Sequence, residues 1–207
     1  MSECLRPLIA AAAMLAWTAL ALRLYLTLAI VPGPHHAIAA YLGYFTIQSN
    51  ILAALVLSAW AARPGGSGWL HRPGVRAAAV VYMAVVGMVY AVLLRSLWNP
   101  QGLAKFCDVM MHDVMPILYG LLWLLAAPKG ALRWRQPAWW LAFPFAYFLY
   151  SLARGIATGF YPYPFLDVTK LGYGGVLANA FVLLGVFWGL GLAMVAIDGA
   201  LARARSA

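Results

Sequence analysis

Thr46 and His112 are the side chains in this sequence best suited to covalent chemistry. A hydroxyl is a weak nucleophile until a neighbouring base takes its proton. Imidazole is the usual base, because it exchanges a proton near neutral pH. The base in turn needs an acceptor that fixes its tautomer, and Asp108 stands four residues before His112. On a helix that spacing places both on one face. Asp113 is adjacent to His112 in sequence but points about 100° away around a helix. Asn50, Arg95 and Arg154 carry donors suited to a developing oxyanion. Nucleophile, base, orienting carboxylate and oxyanion donors together describe an acyl-transfer site.

The elements that must position these groups are unusual. Of 207 residues, 65% are apolar and 9% are charged, whereas a soluble domain is roughly half apolar and a quarter charged. Mean hydropathy is +0.85. A membrane-crossing helix needs about 20 apolar residues, and the chain divides into six such runs. They cover Pro7 to Val31, Ile38 to Ala61, Val75 to Leu97, Lys105 to Ala127, Pro137 to Thr158 and Tyr173 to Ile197. Turn chemistry separates them, as in Pro32-Gly33-Pro34, Arg63-Pro64-Gly65-Gly66 and Asn99-Pro100-Gln101-Gly102. The expected architecture is one all-α membrane domain over residues 1–207, with six transmembrane helices. The first run, about 25 residues long, is too long for the apolar core of a signal peptide and reads as a retained helix.

The net charge of +9 does not point to nucleic acid, because the basic residues are not pooled in one stripe. They lie in the short loops. Arg6, Arg63, Arg72, Arg76, Lys129, Arg133, Arg135, Arg203 and Arg205 fall on one side, against Arg95, Lys105, Arg154 and Lys170 on the other. Cytoplasmic loops are richer in Lys and Arg, so both termini are expected in the cytoplasm. Trp69, Trp134, Trp139 and Trp140 fall near the ends of runs, as an interfacial belt would. Cys4 and Cys107 are expected on opposite sides of the bilayer, which excludes a disulfide between them.

Depth then sorts the polar residues. Thr46 is eight residues into the second run, about 12 Å below the outer surface. Ser49 and Asn50 follow at i+3 and i+4 on its face, with Gln48 turned away. His112 is seven residues into the fourth run, and Asn179 is six residues into the sixth. Arg23 lies in the outer half of the first, and Arg95 and Arg154 approach the outer ends of the third and fifth. Taken singly, each has an ordinary explanation. Threonine bonds back to the carbonyl at i−4, histidine and asparagine join helices, and arginine snorkels to the interface. All six helices contribute at matching depth, however, and the opposite half has almost no polar residues. The expectation is one pocket opening to the outer leaflet, with Thr46, His112 and Asp108 catalytic. Asn50, Ser49, Arg23, Arg95, Arg154 and Asn179 would bind substrate.

Three segments at these residues carry a resemblance. They are Tyr44-Phe45-Thr46-Ile47-Gln48, His112-Asp113-Val114-Met115-Pro116, and Gly159-Phe160-Tyr161-Pro162-Tyr163-Pro164-Phe165-Leu166. In that order they resemble the androgen-induced, androgen-dependent TFPI-regulating protein-like family of intramembrane threonine hydrolases, and more closely its bacterial six-helix relatives. The resemblance implies hydrolysis of fatty acid esters of hydroxy fatty acids, without a cofactor, through a threonine that matches Thr46 and a histidine that matches His112. It also implies membrane lipids as partners and a bacterial cytoplasmic membrane as the location. The chain departs from the animal members after Thr46, where Gln48, Ser49 and Asn50 make the helix more polar. The stiff segment from Tyr161 to Phe165 is placed to roof the pocket.

Two other classes compete with the hydrolase. A lipid or small-molecule binding protein or transporter would use Arg23, Arg95 and Arg154 for an anionic head group. An acyltransferase would use the same Thr46 and His112 with an acceptor other than water. A metal or haem site from His35, His36, Asp108 and His112 carries little weight, because His35 and His36 lie in a Pro/Gly loop and no CxxC or HxxxH pattern exists.

Overall fold

The computed structural model describes residues 4–206, and these are helical with no strand among them. Helix α1 is Arg6–Ile30, α2 is Pro34–Leu42 and α3 is Phe45–Ala62. Helix α4, Pro73–Val89, continues through a π-helical turn, Tyr90–Leu94, and a 3₁₀ turn, Arg95–Leu97. Helix α5, Gly102–Val109, runs through a second π turn, Met110–Val114, into α6, Met115–Ala126. Helix α7 is Gln136–Trp140, α8 is Ala142–Thr158 and α9 is Val168–Ser206 with a kink at Gly172.

Five of these segments are long and apolar enough to cross a membrane: Arg6–Ile30, Phe45–Ala62, Pro73–Leu97, Gly102–Ala126 and Val168–Arg205. That is the pattern of a multi-pass membrane protein. The fifth expected run, Pro137 to Thr158, is instead split at Leu141, and its longer piece has 17 residues.

Side-chain bonds fix which helix ends lie together. Arg6 donates to the carbonyls of Ala61 and Ala62, joining the start of α1 to the end of α3. Tyr119 of α6 donates to the Arg76 carbonyl at the start of α4. The Asp198 carboxylate of α9 accepts the Gly130 and Leu132 amides. This is the basic end of the bundle. At the other end Tyr41 donates to the Leu20 carbonyl and Tyr147 to that of Gly43. Helix α1 packs most extensively on α3, and both carry buried small residues, Ala12, Ala13, Ala16 and Ala19 on α1 and Ala53 and Ala54 on α3. Small residues let two backbones approach closely where lipid removes the usual hydrophobic drive between helices.

Two sequence expectations are corrected here. The second run is not one helix. It breaks at Gly43-Tyr44, where Tyr44 is extended (φ −98°, ψ 133°), so Thr46 lies in the first turn of α3 rather than deep inside a longer helix. Continuous hydrophobicity across the break hid it. Nor is the basic end free of buried polar groups. Arg76 and Asp198 are 5% and 1% exposed, and the Arg76 guanidinium lies 4.4 Å from the Trp60 ring centroid. Arg76 stands at the very start of the third run in sequence, counted with the loop cations, and lies within the first turns of α4, which starts at Pro73.

Lys129, in the loop between α6 and α7, shows how enclosed this end is. Its ammonium donates to the carbonyls of Trp123 and Ala127 and lies 3.9 Å from the Trp123 ring centroid. Burial pushes its pKa down to about 8, Arg205 adds to that, and Asp198 opposes it. The amine should therefore react with an acylating reagent with a midpoint near pH 8. A midpoint at the ordinary lysine value, read by peptide mass spectrometry, would contradict this environment. The linked stability has a definite sign. Above about pH 8 the unfolded chain holds the proton that the folded chain has lost, so stability rises with pH until about 10.5.

Gly87 of α4 permits the tightest crossing near the site. A Cβ there would stand 2.9 Å from the His112 carbonyl oxygen and 3.5 Å from Pro116 Cβ. The obstacle is backbone and cannot swing aside. Gly87→Ala should cost about 1–3 kcal/mol by overpacking and displace the π turn that carries His112. A thermal-unfolding midpoint equal to wild type would show that the crossing has slack.

Candidate active site

The break before α3 exposes the start of that helix. The first amides of a helix have no intrahelical carbonyl to bond. The Thr46 amide is one of them, and it donates to the Tyr163 hydroxyl oxygen at 3.3 Å. Tyr163 belongs to the segment between α8 and α9, where Pro164–Leu166 forms a 3₁₀ turn. The chain enters this segment through Gly159, whose φ of 71° is left-handed and ends α8. The Tyr163 hydroxyl thus caps α3 from a distant part of the sequence, and it also lies 3.4 Å from Thr46 Oγ1.

His112 meets Thr46 from the other side. Its Nε2 is 3.3 Å from Thr46 Oγ1. Its Nδ1 is 2.9 Å from the Asp108 carbonyl oxygen and 3.1 Å from Asp108 Oδ1. Both neighbours of Nδ1 are acceptors, so Nδ1 carries the proton and Nε2 presents its lone pair to the threonine O–H. The N–H is aimed at the carbonyl, and the carboxylate acts mainly through its charge. The Tyr90 hydroxyl donates to the other carboxylate oxygen, Oδ2. The Tyr90 ring stacks on His112 at 4.0 Å between centroids. Both residues sit in π turns, a feature frequent at functional sites. Pro116 lacks the N–H that would bond the His112 carbonyl in a regular helix, which accounts for the irregular turn there.

These groups line a cavity of about 300 Å³. Arg23, Trp98, Leu97, Pro162 and Pro164 complete much of its wall, and the Arg23 guanidinium lies 5.7 Å from the Trp98 ring centroid. A second, narrow and mostly apolar cavity of about 70 Å³ adjoins it, lined by side chains such as Val86, Phe148, Leu183 and Phe187. Thr46, Leu94 and Tyr163 line both. The hydroxyl of Thr46 therefore stands where a polar chamber meets an apolar one. This arrangement suits a nucleophile that attacks a polar group at the end of a hydrocarbon chain.

Of the residues singled out in sequence, Thr46, His112, Asp108 and Arg23 line the polar cavity. The others do not. Asn50 donates to the Thr46 and Met111 carbonyls, tying α3 to the π turn of His112. Ser49 is buried at 1% exposure beside it. Arg95 pairs with Asp113 and covers the outer face of Tyr90. Arg154 lies over Phe160, and Asn179 donates to the Phe165 carbonyl, holding the segment that carries Tyr163. Asn50, Arg95 and Asn179 thus contact residues that carry or flank the cavity wall, whereas, among the described residues, Ser49 and Arg154 make no hydrogen bond or ring contact with it. Tyr90, Trp98 and the Tyr163 hydroxyl are what sequence reasoning missed. The signal for Tyr163 was its place in a stiff Pro-Tyr-Pro segment. Among the described residues, no three His, Cys, Asp or Glu side chains gather as a metal site. No family model, curated protein or solved structure matches this chain.

Proposed function

We propose that this protein is an intramembrane lipid ester hydrolase, in which Thr46 is the nucleophile, His112 the general base and Asp108 the charge that stabilises the imidazolium. The observation that carries the reading is the 3.3 Å approach of Thr46 Oγ1 to His112 Nε2, with Nδ1 held by Asp108, at the junction of a polar and an apolar cavity. The methylenes next to the carbonyl enter the narrow apolar cavity and the ester carbonyl meets Thr46. As Thr46 Oγ1 bonds to the carbonyl carbon, His112 Nε2 takes its proton. Collapse of the tetrahedral intermediate breaks the ester C–O bond, and His112 returns the proton to the leaving alkoxide. Water, deprotonated by His112, then attacks the acyl-threonine and releases the fatty acid. The Tyr163 hydroxyl, 3.4 Å from Thr46 Oγ1, accepts from the Thr46 amide and keeps its own O–H to offer the developing oxyanion.

The substrate class we infer is fatty-acyl esters such as fatty acid esters of hydroxy fatty acids, in keeping with the likeness of the Thr46, His112 and Tyr163 segments to the androgen-induced family. The membrane arrangement we infer is six crossings with both termini cytoplasmic, in a bacterial cytoplasmic membrane. The sixth crossing would be α7 with α8. Leu141 between them keeps helical angles (φ −67°, ψ −18°). Tyr82 donates to the Trp140 carbonyl near the basic end, while Tyr147 reaches Gly43 at the other. The excess of Lys and Arg in loops at the basic end supports the orientation.

A fluorophosphonate probe tests the chemistry directly. The purified protein should become labelled, with the adduct mapped to the peptide containing Thr46. Labelling that survives Thr46→Ala and His112→Ala unchanged would remove the basis for this reading, and retention of intact ester would favour a binding protein.

A further inference from the structure

At the basic end a cleft of about 910 Å³ opens beside α4, between it and the loop that joins α6 to α7, α7 itself and early α8. Small-molecule sites commonly span about 300–1,000 Å³. Its floor is hydrocarbon, formed by Leu52, Ala78 and Phe143 together with the Tyr82 ring. The Tyr82 hydroxyl is already bonded to the Trp140 carbonyl at 2.7 Å, so the floor offers little to a polar ligand.

The mouth differs in kind. Arg72 and Arg133 line it, and neither side chain has an ion-pair partner among the described residues. Among the described residues, no Asp or Glu is part of the wall. Trp69 and Trp139, at the same cleft, are 58% and 79% exposed. Exposed tryptophans of this kind sit at the level of lipid head groups. An apolar floor below two unpaired cations and an aromatic rim matches one molecule at both ends: an acyl chain below and an anionic phosphate above. Basic pockets between transmembrane helices hold anionic lipids by this combination.

We propose that the cleft is a binding site for an anionic phospholipid of the adjoining leaflet, with its phosphate met by Arg72 and Arg133 and its chains against Leu52, Ala78 and Phe143. The cleft shares no lining residue with the Thr46 cavities, from which the Phe45 and Phe143 rings, 5.2 Å apart between centroids, divide it, and the proposal does not depend on the hydrolase reading. A bound lipid there would brace the loop between α6 and α7 against α4.

Native mass spectrometry of the purified full chain tests it, with phosphatidylglycerol and phosphatidylcholine of identical chains offered in competition. Phosphatidylglycerol should be retained roughly tenfold better. Arg72→Gln with Arg133→Gln should bring the two lipids to parity, while Arg72→Lys with Arg133→Lys keeps the preference. Ala78→Trp, which fills the floor, should lower retention of phosphatidylglycerol in chains that keep a cooperative thermal transition. Equal retention of the two lipids by the wild-type protein overturns the proposal, as does a preference that persists in the double Gln variant. If the double Gln variant fails to fold, each single Gln variant should still lose part of the preference, and an undiminished preference in both would overturn the proposal equally.

Discussion

Thr46→Ala is expected to lower turnover of a fatty-acyl ester by at least about 10³-fold, and Thr46→Ser to keep it within about tenfold of wild type. The first figure follows from removing the atom proposed to form the acyl-enzyme, which would leave only binding and oxyanion contacts. The second follows from what the γ-methyl does. Thr46 is 8% exposed, between Tyr163 and His112. A β-branched side chain has few rotamers available in a helix, so the methyl holds Oγ1 toward His112. Serine keeps the hydroxyl and loses that restraint. Stability separates this effect from misfolding. The Thr46 amide still bonds Tyr163 in both variants, because that contact is made by the backbone. Thermal midpoints should therefore stay within a few degrees of wild type. Turnover by Thr46→Ala at a tenth of wild type or more would exclude an acyl-threonine. A parallel loss in Thr46→Ser with intact folding would make the methyl, rather than the nucleophile, the decisive group.

The bundle and the core of the site differ in how far they were legible. The apolar runs were visible because a bilayer demands about 20 residues without charge, and five of them stand in the structure as helices of that kind. The run that falls short, at α7 and α8, is interrupted by a turn at Leu141 that leaves no mark in hydropathy. The proximity of Asp108 to His112 was legible because it is local, one turn of one helix. The approach of Thr46 to His112 spans 66 positions, and only equal depth hinted at it. Depth alone over-counted, since Asn50, Arg95, Arg154 and Asn179 share that level without facing the cavity. Which way a helix face looks depends on its neighbours, and that information is tertiary. The same limit hid Tyr90 and Tyr163. In sequence Tyr90 is an aromatic like Tyr25 or Tyr173, which are 64% and 58% exposed, and the stiff segment marks Tyr163 only as part of a roof, without showing where its hydroxyl lies. In the fold each hydroxyl meets a group of the proposed site.

The contacts of His112 Nδ1 lead to the other large effect. His112→Ala removes the base and should lower ester turnover by about 10²–10⁴-fold, the usual contribution of a positioned proton acceptor. Asp108→Asn should cost much less. In serine proteases the carboxylate alone selects the histidine tautomer, and its amide replacement costs about 10⁴-fold by presenting the wrong one. Here the proton on Nδ1 is aimed at the Asp108 backbone carbonyl at 2.9 Å, which the substitution leaves in place. The tautomer that turns the Nε2 lone pair to Thr46 should survive. What is lost is the negative charge 3.1 Å from Nδ1, which in the proposed mechanism stabilises the imidazolium in the transition state. A loss of about 10- to 100-fold is expected, carried by kcat rather than KM, because the charge acts when the proton moves and not when the ester binds. Asn also keeps an oxygen for the Tyr90 hydroxyl, so the stack of Tyr90 on His112 should persist. If Asp108→Asn proves as damaging as His112→Ala, the side-chain carboxylate rather than the carbonyl fixes the ring. If it has no effect on kcat, no imidazolium forms in the rate-limiting step.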